Sequence, residues 1–214
     1  MTKVSAAEAL ALLDWKRHIF DLYDRVRFER DPLVAWTTWR ATRDQLFKTH
    51  SQSPIPKNQR GPFDGCSYFD YDASYRVEAE VSESTPESYE IVTSGDTTMR
   101  FTRIGTAKFE FARKELALEM YWLNAYAGGL FVPFRDETSG TASYGAGRYL
   151  LDTVKGADLG TTDGRLILDF NFAYNPSCAY DPRWVCPLAT PANRLPVAIE
   201  AGEKAPAPND SSSS

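Results

Sequence analysis

The strongest constraint on the fold of this chain is an alternation of apolar and polar residues that begins near residue 75. Residues 75–81, with the sequence YRVEAEV, place an apolar side chain at every second position. Because successive side chains of a strand point to opposite faces of a sheet, this period predicts a half-buried β-strand. Similar short segments, separated by turn residues, recur at 87–92, 97–104, 105–111, 130–134, 148–153, 165–170 and 195–199. This spacing predicts an antiparallel β-sandwich or barrel of about eight strands.

Residues 112–126 carry two conflicting signals. Their sequence, ARKELALEMYWLNAY, is rich in residues of high helix propensity. However, Leu116, Leu118 and Met120 alternate with polar or small neighbours, which is the pattern of a strand. Because strands are predicted on both sides and propensity is the weaker guide, we expect a strand here.

The first fifty residues have a helical pattern instead. Ser5 and Glu8 have the spacing of a capping box, which begins a helix. The pair Asp31-Pro32 predicts the end of that helix and the start of a second one. We therefore expect an α+β chain with two N-terminal helices. Its predicted parts are a helical segment packed on the core at 1–50, an antiparallel β domain at 51–204 and a disordered tail at 205–214.

Composition narrows the partners and the compartment. The net charge of −5 argues against a general nucleic-acid binder, and we interpret the helical arginines, Arg40 and Arg43 among them, as a solvated helix face. No stretch approaches the ~20 consecutive apolar residues that a membrane helix needs. The N-terminus lacks the order of a signal peptide. Three cysteines, an odd number, fit a reducing compartment, so we expect a cytoplasmic protein.

The cysteines Cys178 and Cys186 lie in an unusual segment, DFNFAYNPSCAYDPRWVCPL, at residues 169–188. Seven residues separate them, whereas structural zinc sites pair their ligands more closely and need four. We therefore expect no metal, and because P-loop, dinucleotide and HExxH patterns are absent we expect no other cofactor. A disulfide is geometrically possible, but the predicted compartment argues against it. Cys178 is a candidate nucleophile, with a buried cysteine as the default interpretation.

The same segment predicts a rigid, irregular loop. Each of its three prolines restricts the preceding residue to an extended conformation. The loop either closes one end of the fold or forms one wall of a ligand site. Its candidate ligand-binding residues are Asn171, Tyr174, Asn175 and Tyr180.

A second candidate loop, at residues 134–149, has the sequence FRDETSGTASYGAGRY. Its glycines allow positive φ, and backbone N–H groups in such a turn can form an anion-binding nest. Arg135 and Arg148 are candidates for holding a carboxylate or phosphate. The alternative is a hairpin turn with an Arg135–Asp136 or Arg148–Asp169 salt bridge. Asp136 and Asp169 are the acid–base candidates. The remaining ligand-binding candidates are Thr138, Tyr144 and Tyr149.

Long runs of the sequence resemble a known family. The runs are PFRDETSG, YGAGRYL, LDFNFAYNPSCAYDPRWVCPL and NRLPVAIEAGEK, preceded by WRATRDQLFKTHSQSPI and FDGCSYFDYDASYRVEAEV. Together they resemble a bacterial and archaeal family known as domain-of-unknown-function family 1684. The resemblance extends from about Trp36 to Lys204 and implies a compact domain of this length. It implies no activity, so no catalytic role is transferred to any residue.

Two functions follow from these patterns. The first is a small-molecule-binding domain for an anionic ligand, or an enzyme that uses acid–base carboxylates, with its pocket where the two loops meet. The second is a non-enzymatic structural or partner-binding domain whose loops only cap the fold. The concentration of Arg, Asp, Asn, Tyr and Gly in the loops favours the first, because packing alone does not require it.

Overall fold

A computed structural model describes residues 5–124 and 128–207, and its two helices begin and end where the sequence predicts. The first helix, α1, is Ala6–Phe28, and the second, α2, is Pro32–Thr49. Ser5 and Glu8 form the predicted capping box. Asp31 caps α2, because its Oδ1 accepts the backbone N–H groups of Leu33 and Val34 over 2.9 and 3.3 Å. Neither of these described helices combines the length and apolar character needed to cross a membrane.

The described strands form one antiparallel sheet. The sheet consists of seven strands in the order β5-β4-β3-β2-β1-β7-β6, and it does not close. The α+β class is confirmed, whereas the barrel or sandwich and the count of about eight strands are not. The strands are β1 Arg76–Val92, β2 Thr98–Phe111, β3 Lys114–Leu123, β4 Leu130–Phe134, β5 Arg148–Asp152, β6 Thr161–Thr162 and β7 Arg165–Asp169.

Strands β1 and β2 are longer than the sequence predicts. The turn residues Ser84-Thr85-Pro86, between the segments predicted at 75–81 and 87–92, form a β-bulge within β1, where the pairing passes from Glu83 opposite Gly105 to Glu87 opposite Arg103. A bulge accommodates Pro86, which has no N–H for the ladder. A second bulge, between Arg103 and Gly105 of β2, lets the strand continue through the predicted boundary. The four strands predicted at 75–81, 87–92, 97–104 and 105–111 are therefore only two strands, β1 and β2.

The disputed segment at 112–126 forms strand β3, as the alternation predicts. Ala112 and Arg113 have φ values of 50° and 61° and connect β2 to β3. Two residues of positive φ form the tight turn whose twist matches an antiparallel hairpin. The last part of the predicted strand, residues 125 and 126, lies outside the described residues.

The prediction of a strand at residues 195–199 is wrong. Apart from a single bridge between Arg135 and Arg194, this segment pairs with no strand in the described ranges. Pro196 removes one donor of a ladder. Two backbone hydrogen bonds connect the segment to the residues after β4, from the Leu195 N–H to the Arg135 carbonyl over 2.8 Å and from the Glu137 N–H to the Val197 carbonyl over 3.1 Å. Side chains hold the rest: Arg148 donates to the carbonyl oxygens of Ile199 and Ala201, and Asp136 Oδ2 accepts the N–H of Ile199 over 3.2 Å.

The sheet is buried on both faces. The two helices pack against one face, where a cluster contains Trp39, Phe101, Tyr121 and Phe131. The opposite face carries a second cluster, in which Leu118 and Val132 of the sheet lie with Leu195 and Ile199 of the C-terminal segment. The C-terminal segment thus covers the face that the helices leave open.

We expect Arg148→Met to lower the free energy of unfolding by about 3–5 kcal/mol, because it leaves the buried Asp136 carboxylate without its cation. Arg148 Nη2 donates to Asp136 Oδ2 over 2.7 Å, and both side chains are at most 1% exposed. Urea unfolding followed by circular dichroism measures the change. Arg183→Met, at a half-exposed arginine, is the matched control and should change the stability by less than about 1 kcal/mol. Equal effects of the two substitutions would contradict the structural role.

Candidate functional site

A buried ion pair joins helix α2 to the C-terminal segment. Arg43 Nη2 donates to Glu203 Oε2 over 3.0 Å, and the two side chains are 6% and 1% exposed. The same oxygen accepts the backbone N–H of Asn175 over 2.7 Å. The Arg43 guanidinium also lies 4.9 Å from the ring centres of Trp39 and Tyr174. The pair therefore connects three parts of the chain that are distant in sequence.

The second carboxylate oxygen of Glu203, Oε1, differs from Oε2 in its hydrogen bonding. Within the described residues, Glu203 Oε1 accepts no hydrogen bond from a nitrogen or oxygen donor. Burial raises the pKa of this carboxyl, and the charge of Arg43 opposes the rise. Glu203 lines a cavity of about 690 Å³, here named the Glu203 cavity. Its walls include Ile55, Phe63, Cys66, Tyr180, Glu203 and Lys204.

Cys66 and Tyr180 form the wall of the Glu203 cavity beside the carboxylate. Cys66 Sγ and Tyr180 Oη are 3.6 Å apart. The Tyr180 ring packs edge-on against Phe47, with 5.3 Å between ring centres, so its hydroxyl is held in place. Burial and the nearby Glu203 raise the pKa of Cys66, which keeps this thiol protonated. A protonated thiol is a weak hydrogen-bond donor and a poor nucleophile.

The predicted residues Asp136, Thr138 and Arg148 come together, but none of them lines the Glu203 cavity, although Arg148 donates to the backbone carbonyl of Glu203 over 3.2 Å. Asp136 Oδ1 accepts the N–H and the hydroxyl of Thr138 over 3.0 and 2.7 Å. Its Oδ2 receives Arg148, whose other hydrogen bonds go to backbone carbonyl groups. One alternative from the sequence was a salt bridge between Arg148 and Asp169, but Arg148 pairs with Asp136. The hydrogen bonds of Arg148 and Asp136 hold the C-terminal segment.

Asp169 has a separate environment. Its Oδ1 accepts the backbone N–H and the side-chain amide of Asn171 over 3.0 and 2.9 Å. Burial raises the pKa of Asp169, and the hydrogen bonds from Asn171 oppose the rise. The carboxyl lines a small cavity of about 130 Å³ together with Arg27, Glu29 and Arg76. That volume suits water or a small ion better than a metabolite.

The two candidate loops meet, as the sequence hypothesis requires. Tyr149 and Tyr174 exchange two backbone hydrogen bonds of 2.8 and 3.0 Å. Tyr144 and Gly145 line a cleft of about 290 Å³ with Ala179, and Arg135 donates to the carbonyl of Gly145. Pro206 and Ala207 line both this cleft and the Glu203 cavity, so the two spaces adjoin. These residues belong to the predicted tail at 205–214, of which 208–214 lie outside the described residues.

Cys178 lies beside Cys186 and Tyr144. Tyr144 Oη and Cys178 Sγ are 3.9 Å apart, and both cysteines are free. A hydrogen bond from the Cys186 thiol lowers the pKa of Cys178 to about 6, and the Tyr144 hydroxyl acts in the same direction. The same contact raises the pKa of Cys186. Of these two thiols, Cys178 is therefore the one that ionises first.

A group of possible metal ligands lies on the helices, but hydrogen bonds account for it. Within the described ranges, ligand atoms of Asp14, His18 and His50 lie within 4.8 Å of one another. His50 Nδ1 accepts the backbone N–H of Gln52 over 3.0 Å, so its Nε2 carries the proton and donates to Asp14 Oδ2 over 3.2 Å. His18 Nδ1 donates to the carbonyl of Asp14. A metal on His50 Nε2 would need a proton at Nδ1, where Gln52 already donates.

Comparison with known proteins confirms the resemblance. The family described as Protein of unknown function (DUF1684) matches residues 61–204. The chain belongs to this family. It is also similar to an uncharacterized protein from Haloarcula marismortui whose solution NMR structure is known, with 42% identity and a TM-score of 0.58. That similarity covers 80% of this chain and 92% of the other. None of the curated proteins matches the chain.

The DUF1684 region contains Cys66, Tyr180 and Glu203, whereas Arg43 precedes it. Of the predicted ligand-binding residues, Tyr180 lines the Glu203 cavity and Asn175 binds the Glu203 carboxylate. Glu203 and Arg43 were not predicted. The signal for Arg43 is visible in the sequence, because it lies four residues from both Trp39 and Phe47. The sequence analysis interpreted this helix face as solvated. A charged residue on an apolar helix face is instead a sign of a buried ion pair.

At pH 7 we expect iodoacetamide to alkylate Cys178 faster than Cys66 or Cys186, because Cys178 alone of the three has a lowered pKa. Its rate should fall as the pH is lowered through about 6. Peptide mass spectrometry across a pH series measures the three rates. Cys186→Ala removes the main donor and should move the midpoint of Cys178 toward ~8.5, the ordinary thiol value. Equal rates for all three cysteines would contradict the assignment.

Proposed function

We propose that this chain is a small-molecule-binding domain whose ligand occupies the Glu203 cavity. The observation that carries the proposal is Oε1 of a fully buried carboxylate on the wall of a cavity of about 690 Å³, an atom that has no nitrogen or oxygen donor among the described residues. Buried polar atoms in folded proteins almost always have partners, so an exception needs an explanation. A ligand that donates a hydrogen bond to Oε1 supplies one.

The walls of the Glu203 cavity define the chemistry of the ligand. Glu203 Oε1 requires a donor, such as a hydroxyl or an amine, while Ile55 and Phe63 offer apolar contact. Lys204 brings a positive charge to this wall, where its ammonium lies 4.9 Å from the ring centre of Phe69, and in this proposal it pairs with an anionic group of the ligand. This arrangement moves the predicted anion contact from Arg135 and Arg148 to Lys204. The proposed ligand class is a small carboxylic acid or phosphate ester that also carries a hydroxyl or amine.

Acid–base chemistry in the same place would use Glu203. Burial raises its pKa, as it raises that of Asp169, and an ionised carboxylate with a raised pKa can accept a proton as a general base. Glu203 lies in the larger cavity, which gives a substrate room beside it. An enzymatic form of the proposal therefore assigns the proton transfer to Glu203.

A second candidate function is the binding of a protein partner without catalysis. It is favoured by large apolar side chains exposed on the helices, including Leu10, Phe28 and Leu33 at 66%, 79% and 51%. This function leaves the Glu203 cavity unused. Ligand binding in that cavity separates the two candidates.

A thermal-shift screen of small hydroxy acids, amino acids and phosphate esters, followed by calorimetry, tests the first function. We expect Tyr180→Phe to weaken the binding of a hit by about twofold to tenfold and Lys204→Met by about tenfold to a hundredfold, since a hydrogen bond contributes about 0.5–1.5 kcal/mol and one to a charged group about 1.5–3 kcal/mol. Lys48→Met, at an exposed lysine of α2, is the matched control and should bind normally. Circular dichroism confirms that each variant is folded.

Two outcomes would count against ligand binding in the Glu203 cavity. One is a screen in which no compound of this class raises the melting temperature. The other is a hit whose affinity is the same in wild type, Tyr180→Phe and Lys204→Met. The second outcome would place the ligand elsewhere on the chain.

A further inference from the structure

Arg40 of helix α2 packs against two aromatic rings. Its Cζ lies 4.4 Å from the ring centre of Trp36 and 4.6 Å from that of Tyr68. Cation–π stacking of this kind fixes the plane of a guanidinium and leaves its N–H edge free for a planar partner. The side chain is thus preorganised, unlike the flexible arginines of a solvated helix face.

The hydrogen-bonding groups of Arg40 are unpaired. Its Nε is buried and has no acceptor within the described residues. In the same part of the chain, the neighbouring arginine Arg43 pairs with Glu203, whereas Arg40 forms no salt bridge. The nearby carboxylate of Asp44 accepts the backbone N–H of Cys66 over 2.9 Å. Arg40 therefore offers a positive charge that no described carboxylate neutralises.

A second unpaired donor lies beside Arg40. Trp36 is 6% exposed, and its indole Nε1 has no acceptor in the described ranges. A guanidinium and an indole N–H can only donate hydrogen bonds, so neither group can accept from the other. The missing partner must be an acceptor, and beside a cation an anionic acceptor is favoured.

From this geometry we propose that Arg40 and Trp36 form a binding site for the oxyanion group of a small molecule, a carboxylate or a phosphate. The guanidinium binds two oxygens of the anion, and the indole N–H of Trp36 binds an oxygen as well. The Tyr68 ring also contacts the guanidinium, with 4.6 Å between Cζ and the ring centre. Neither Arg40 nor Trp36 lines the Glu203 cavity, so the oxyanion site is separate from the proposed ligand site.

Titration with inorganic phosphate, and in parallel with acetate, tests the oxyanion site. The reporter is the indole N–H signal of Trp36 in a ¹H–¹⁵N spectrum, assigned by its loss in Trp36→Phe. We expect this signal to shift in a saturable way at constant ionic strength. Arg40→Met should abolish the shift, and Arg40→Lys, which keeps the charge but not the fork of donors, should weaken binding at least tenfold. Arg25→Met, at an exposed arginine of α1, should leave it unchanged.

The result that overturns the oxyanion site is an indole signal that does not move, or that moves equally in wild type and Arg40→Met. Because Arg40→Lys preserves the stacked cation, it keeps the test valid if Arg40→Met fails to fold. Phosphate binding at Arg40 should survive in Tyr180→Phe and Lys204→Met. The fate of the oxyanion site is therefore distinguishable from that of the Glu203 cavity. Preference for phosphate over acetate, or the reverse, identifies the ligand group.

Discussion

The arrangement of this molecule depends on the buried ion pair between Arg43 and Glu203. It connects helix α2 to a segment 160 residues further along the chain, and Asn175 adds the 169–188 loop to the same carboxylate. Removing two charges from water is expensive, so such a pair contributes little net stability, but losing one partner leaves the other charge uncompensated. The pair therefore acts mainly as a constraint on position. It places Glu203 at the wall of its cavity and directs one oxygen away from Arg43.

A second buried pair, between Arg148 and Asp136, has the same role on the other side of the C-terminal segment. Arg148 donates to the backbone carbonyl groups of Ile199 and Ala201. If this segment were a strand, N–H groups of a neighbouring strand would donate to these carbonyl groups instead. A guanidinium with several donors can replace a ladder where proline interrupts one. In this way the segment covers one face of the sheet without joining it, and the sheet stays open.

Local signals in the sequence predicted local structure well. The Ser5 capping box, the Asp31-Pro32 boundary and the alternation that identified β3 all depend on neighbouring residues, and the structure confirms them. What depends on distant contacts could not be read in the same way. Arg148 in a glycine-rich loop has the same sequence signature whether its donors bind a ligand or the protein backbone. Arg43 was visible as a charge on an apolar helix face, but its partner Glu203 carried no mark of its own.

The long sequence separation between Arg43 and Glu203 also bears on how the chain folds. A contact across 160 residues forms only after a large loss of chain entropy, so it belongs to the late steps of folding. Until the C-terminal segment docks, Arg43 and Arg148 must remain hydrated, and the apolar clusters around them cannot become dry. The removal of water from both apolar clusters is thereby coupled to a single event, the docking of the C-terminal segment. Such coupling links the helices, the sheet and the C-terminal segment into a single cooperative unit.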